Sequence, residues 1–314
     1  MKKKLVAGAV TLLSVVTLAA CANGTNKDIV TMKGDTITVS DFYDEIKTNQ
    51  GAQQVLFQMT INKVFEKEYG SKVSDKEVDK ELAKQKKQLG NQFDAYLAQQ
   101  GLTEETAKKQ IRSNMLLEYA VSQAAKKDIK ESDYKTAFES YTPEVTAQII
   151  KLDSEDKAKE VLDAAKAEGA DFAKIAKDNS TDTATKDKGG EVKFDSGTAD
   201  IPSQVKEAAF KLDENGISDV ITVSAGQNYS ASYYIVKLNK KTEKGSDWKK
   251  YEKRLKEIII AGRKQDTNYI RSIIAKAMTN ANIKVKDDAF KSTFNQYLQN
   301  IGVETSDSSS SSKK

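Results

Sequence analysis

Pro143 divides this sequence into two kinds of pattern. Only two prolines occur in 314 residues, and the first stands where a helical periodicity gives way to strand-like alternation. Proline disfavours helix in the residue before it and donates no backbone hydrogen bond, so an element boundary is dictated near Thr142. Upstream, residues 22–142 read as mainly helical. IVTMKGDTITV (29–39) predicts a small hairpin turning near Lys33-Gly34-Asp35, and Ser40 is expected to cap a first helix. AQQVLFQMTINKVFEKEY (52–69) sets Val55, Leu56, Met59, Val64 and Phe65 at near-helical spacings. Ser74 and Glu77 match a capping box before a charged helix reaching Leu89. A long helix is predicted over about 104–126, with Ile111, Met115, Leu116 and Tyr119 on one side.

Downstream, VTAQIIKL (145–152) reads as a strand and SEDKAKEVLDAAKAEG as a capped helix ending at Gly169. DFAKIAKDN is a second short helix, and the Gly189-Gly190 loop leads to a strand at EVKF. A helix at SQVKEAAFKL, a turn over Asp213 to Gly216, and strands near SDVITV and SYYIVKL complete the unit. The order β-α-α-β-α-β-β within about a hundred residues predicts an α+β module, placed between N- and C-terminal helical segments that are left open as two domains or one discontinuous chaperone-like domain. From Asp247 a stripe of Trp248, Tyr251, Leu255, Ile258 and Ile259 resumes at Ile270, Ile273, Ile274 and Ala277, and a last helix is expected over roughly 287–300. The Ser-rich end cannot bury a core and reads as a solvated tail. The domain reading is therefore 1–20 signal peptide, 21–142 helical segment, 143–241 α+β module, 242–303 helical segment and 304–314 tail.

Composition narrows the function. With 38% apolar residues the chain is long enough for a sizeable core. Its net charge is +4, of which Lys2, Lys3 and Lys4 supply three, leaving +1 without them and no signal for a nucleic-acid partner. Histidine is absent, which removes the commonest general base at neutral pH and the commonest metal ligand; no metal and no cofactor are expected. Residues 5–20 form an uncharged apolar run after three lysines, shorter than the ~20 residues of a spanning helix. This reads as an export signal. It ends in Leu18-Ala19-Ala20-Cys21, which resembles a bacterial lipobox, and Cys21 is the only cysteine. An internal disulfide is excluded, and packing must supply the core.

The middle module resembles the parvulin (PpiC-like) family of peptidyl-prolyl cis–trans isomerases. The run STDTATKDKGGEV is similar to that family's segment between second helix and second strand, and AAFKL and NGISDVI follow in order and spacing. With its lipobox and two helical arms, the whole chain is similar to the foldase lipoproteins of Gram-positive bacteria. Active parvulins carry one histidine in the first strand and one in the last, packed together under the substrate proline. The resemblance places Gln148 and Tyr234 at those positions, Asp182 at the loop position, and Ile201 and Val205 at the apolar pair lining the proline pocket.

Isomerisation twists an amide through a barrier of ~18–20 kcal/mol, and catalysis requires tighter binding of the twisted state than of either planar isomer. Gln148, Tyr234 and Asp182 retain hydrogen-bonding groups, but an Ile/Val pocket without paired imidazoles predicts weak or no activity. Restoring Gln148→His, Tyr234→His and Val205→Phe together is expected to raise the rate. The structural alternatives are a backbone-bonded Gln148, a turn residue at Asp182 and a packing role for Tyr234. The resemblance implies a foldase held through Cys21 to the extracytoplasmic face of the membrane, with unfolded or partly folded secreted proteins as partners; homodimer formation is left open. A competent isomerase and a surface adhesin or binding lipoprotein are the alternatives. Phe57, Met59, Phe65, Ile258 and Ile274 exceed what isolated helical hairpins need, and are expected to join the two arms or to line a client-binding surface.

Overall fold

The computed structural model describes residues 27–225 and 230–298. The signal segment, Cys21 and the Ser-rich tail lie outside the described residues. In chain order the strands and helices are β1 (Asp28–Met32), β2 (Asp35–Thr38), α1 (Val39–Ile46), α2 (Gln50–Tyr69), α3 (Asp75–Leu89), α4 (Phe93–Gln99), α5 (Glu104–Asp128) and α6 (Glu131–Ser140). The module follows as β3 (Val145–Leu152), α7 (Glu155–Lys166), α8 (Phe172–Asn179), β4 (Glu191–Phe194), α9 (Ser203–Lys211), β5 (Ile221–Ala225) and β6 (Ser230–Lys240). After it come α10 (Glu252–Gln265), α11 (Thr267–Asn280) and α12 (Lys291–Leu298). The chain has a mixed α+β fold. No helix of the described residues is long and apolar enough to cross a membrane.

The chain divides into two compact units, one from 1–71 with 274–314 and the other from 72–273. Each combines sequence from both sides of the module. In the first, β1 and β2 pair antiparallel around the Lys33-Gly34 turn. Helix α1 is capped by Thr38, not by Ser40, because Thr38 and Asp41 exchange side-chain and backbone bonds in a capping box. Helix α2 packs on α12, where Phe57 meets Phe294 edge-on at 5.4 Å and stacks on Tyr297 at 4.4 Å. The last turn-and-helix begins at Asp288, and its expected end near residue 300 lies outside the described residues.

In the second unit, the Ser74–Glu77 capping box starts α3, and α5 packs against both α3 and α10. Arg263 of α10 reaches back to the carbonyl of Ala125 at 2.9 Å and to Asp133 at 2.8 Å, fastening the corner between α5 and α6. Helix α7 stops at Lys166, short of Gly169, and the Ser154 side chain makes no cap bond. The module's sheet has the order β4-β3-β6-β5, all antiparallel. Helix α9 covers one face over Val145, Ala147, Ile149, Val236 and Leu238. Helices α7 and α8 cover the other over Ile150, Leu152 and Ile235. Thr146 of β3 pairs with Lys240 of β6, so the module's two ends leave the sheet side by side. The strand signal near SDVITV starts late, since Ser218 is a buried loop residue whose hydroxyl accepts from the Val236 amide at 3.0 Å.

Candidate functional site

The crevice begins at the edge of β3. Beyond Gln148 the β4 partner runs out, and the loop after α8 takes its place: the Lys151 amide donates to the Ser180 hydroxyl at 3.1 Å, and the Thr181 amide to the Lys151 carbonyl at 2.8 Å. Ser180 is 1% exposed and also accepts the Asp182 amide at 3.2 Å, so one small hydroxyl anchors the loop. Asp182 then organises the next turn, accepting from the Ala184 amide at 3.2 Å and the Thr185 hydroxyl at 2.5 Å. Ser180 and Thr185 are working parts that the sequence reading passed over. The available signal was an Asx/Ser-Thr turn pattern in STDTAT.

Gly190 closes the loop because no other residue fits. Its φ is +78°, and a Cβ would lie 2.4 Å from the Ile149 carbonyl oxygen, a backbone atom that cannot step aside. That close approach lets the Ile149 amide donate to the Gly190 carbonyl at 2.8 Å.

Strand register decides which of the five positions meet. Successive side chains alternate between faces, so Gln148, opposite Lys237, shares the α7/α8 face with Ile150 and Leu152. Its amide donates to the Gly189 carbonyl at 2.8 Å. Tyr234, opposite Lys151, lies on the α9 face and packs against the cluster holding Ile201 and Val205. Tyr234, Ile201 and Val205 therefore come together, while Gln148 stays behind the sheet plane. Burial pushes the Tyr234 hydroxyl above its ordinary pKa, and the nearby carboxylates of Asp182 and Asp153 add to the effect. The phenol remains neutral and can donate one hydrogen bond toward the Asp182 side of the crevice.

The apolar pair offers little to a proline ring. Val205 is 0% exposed and Ile201 only 9%, so both serve the core under α9. A Phe at 205 would overpack that core, at a cost of about 1–3 kcal/mol. Residues 148 and 234 also lie on opposite faces of the sheet, so the three substitutions would not gather their side chains at one spot.

A second centre ties the module to the helices around it. Asp195, at the end of β4, is 5% exposed and takes a two-pronged bond from Arg254 of α10, at 2.6 and 2.8 Å. It also accepts from the Tyr141 hydroxyl at 3.1 Å, the Thr198 hydroxyl at 3.0 Å and the Gly197 amide at 3.0 Å. Burial alone would raise this carboxyl's pKa, but the Arg254, Thr198 and Tyr141 bonds outweigh it and hold the group below the usual carboxylate range. The Tyr141 phenol moves strongly upward, first from burial and then from Asp195. Around this centre Trp248 stacks on Tyr134 at 5.1 Å, and Tyr251 lies against Phe138 and Tyr141 at 5.6 and 5.4 Å. Gly197 abuts Ile258, whose side chain a Cβ would meet at 2.4 Å. Ile258 thus packs on the module, and Phe65 and Ile274 are buried, whereas Met59 stays half exposed.

Among the described residues no cluster of acidic, Cys or His side chains is arranged to hold a metal. Comparison with known proteins follows this division of the chain. The rotamase family described as the PPIC-type PPIASE domain matches residues 141–240, the β3-to-β6 module and the residues leading into it. The whole chain is 62% identical over 302 residues to the foldase protein PrsA of Streptococcus sanguinis, covering 96% of this chain and 90% of that protein. It is 60% identical over 315 residues to the PrsA of Streptococcus gordonii, covering 100% of both. The crystal structure of PrsA from Streptococcus pneumoniae superposes with a TM-score of 0.80 at 54% identity, covering 86% of this chain and 99% of that one. The Lactococcus lactis structure gives a TM-score of 0.64 at 39% identity, covering 87% and 99%. Because the likeness runs through the helical segments as well as the isomerase-type module, the chain belongs to the PrsA family of foldase proteins.

Proposed function

We propose that this foldase works chiefly by holding unfolded secreted polypeptides on its helical parts, while the parvulin-type module contributes little or no isomerase turnover. The observation that carries this reading is the crevice itself: on the α9 face that Tyr234 shares, β3 presents the apolar Ile149, Gln148 points to the other face, and Val205 is fully buried. A twisted amide needs donors and an apolar seat converging on one spot. Here one neutral phenol and the rim of Ile201 are what the α9 face offers. The chain is held at the extracytoplasmic face of the membrane by a lipid on Cys21, supported by the apolar run ending in LAAC. Its partners are unfolded or partly folded secreted proteins.

The direct test is exchange spectroscopy on an Xaa-Pro peptide mixed with the full mature chain. Uncatalysed isomerisation takes tens to hundreds of seconds, so the expected result is no exchange peak on a sub-second mixing time. Clear exchange peaks at catalytic amounts of protein contradict the reading and favour a competent isomerase. For the anchor, Cys21→Ala is expected to abolish incorporation of labelled fatty acid; equal labelling of the variant contradicts it.

A further inference from the structure

In the unit formed by residues 27–71 and 274–298, two cavities of about 730 and 480 Å³ run end to end along α2. Thr60 and Ile283 line both, which makes them one groove. Its α2 wall is a single helical stripe in which Leu56, Thr60, Lys63 and Lys67 succeed one another at spacings of four, three and four. The stripe changes character along its length. At one end Val55 and Met59 are 59% and 51% exposed, an unusual outlay of apolar surface. At the other end stand Lys63 and Lys67.

The opposite wall is chain that belongs to no helix or strand. The backbone N–H and C=O groups of Lys284, Val285 and Lys286 have no hydrogen-bond partner among the described residues, although they border the groove. Such a row of free backbone groups is a template for an added strand. Charge sets the orientation of a partner. Lys63, Lys67, Lys284 and Lys286 make no ion pair among the described residues. Of the two carboxylates in the lining, Asp287 accepts the Tyr43 hydroxyl at 2.7 Å and Glu68 the Tyr69 hydroxyl at 2.8 Å. The groove is therefore richest in apolar surface at the Val55–Met59 end, where Lys284 and Lys286 edge it, and carries Lys63 and Lys67 at the other. From Leu56 to Lys67 it spans about 17 Å of helix, room for about five extended residues.

We propose that this groove binds an extended apolar segment of an unfolded client, added as a strand along Lys284–Lys286, with carboxylates at the end that meets Lys63 and Lys67. The proposal rests on the foldase reading above and names the class of segment it selects. Main-chain bonding makes the site tolerant of sequence, as a general client demands, while the lysines bias it toward acidic flanks.

The test uses the mature full-length chain and fluorescein-labelled octapeptides of alternating Val and Thr, ending in two Glu or in two Lys. The Glu peptide is expected to bind about tenfold more tightly than the Lys peptide. N-methylation of alternate backbone amides is expected to weaken it by a similar factor. Lys63→Glu with Lys67→Glu is expected to invert the preference, a gain of binding for the Lys peptide that a misfolded variant cannot give. Equal affinities, indifference to N-methylation, or an unchanged preference in the double variant overturns the proposal. Binding of phosphatidylglycerol vesicles at these lysines without any peptide preference overturns it too, assigning the groove to a lipid surface. Client protection by the unaltered chain despite any of these outcomes refutes the groove alone; absence of all client protection refutes the foldase reading.

Discussion

Asp195 is the residue whose loss should be felt furthest. Its carboxylate joins β4, Tyr141 and α10 at one buried point. Removing one member of a buried pair costs about 3–5 kcal/mol when both groups are dry. Arg254 is about one-third exposed and keeps Glu257 at 3.0 Å, so Asp195→Asn is expected to destabilise the second unit by about 2 kcal/mol. The effect has a pH signature. A carboxyl held below its ordinary pKa in the folded state contributes stability above the ordinary aspartate range, and loses it as pH falls through the depressed value. Urea midpoints of the parent and Asp195→Asn chains should therefore differ at neutral pH and converge in acid. A difference that persists undiminished at low pH contradicts this assignment. Trp248, the chain's single tryptophan, stacks beside this centre and makes its emission a local probe of the same change.

Among the elements, periodicity told most where one face is buried and the other wet. The strand over 145–152 and the capping box at Ser74 were legible because alternation and reciprocal hydrogen bonding are local. The first helix start was missed by two residues, since Thr38, Ser40 and Asp41 all offer cap chemistry and only the incoming hairpin selects Thr38. Gly169 looked like a helix end, yet α7 unwinds three residues earlier, where Ala167 turns extended. In the crevice, the five family-matched positions were nameable from motif order, but their faces were not. Which side Gln148 takes depends on pairing with Lys237 across the sheet, a non-local register. The Asp195–Arg254 pair, separated by 59 residues, left no sequence pattern at all.

At the scale of the whole chain, the module is built into its surroundings through Tyr141, Asp195, Arg254 and the aromatic contacts beside them, while among the described residues the exposed large apolar side chains, Tyr96 apart, gather elsewhere. Ile29, Val30, Met32, Ile37, Phe42, Val55 and Met59 all belong to the unit of residues 27–71 and 274–298. The exposed apolar surface and the crevice therefore occupy separate parts of the sequence, and point substitution can alter one without the other. The most direct measurement is light scattering from an unfolded secreted protein, diluted into buffer with the full mature chain or with its Tyr234→Phe, Asp182→Asn variant. Both substitutions strip the crevice of its hydroxyl and carboxylate while keeping side-chain volume, and near-UV circular dichroism checks the fold. The account predicts that the variant suppresses aggregation as well as the parent does; loss of protection in a folded variant would place the holding function in the crevice and contradict it.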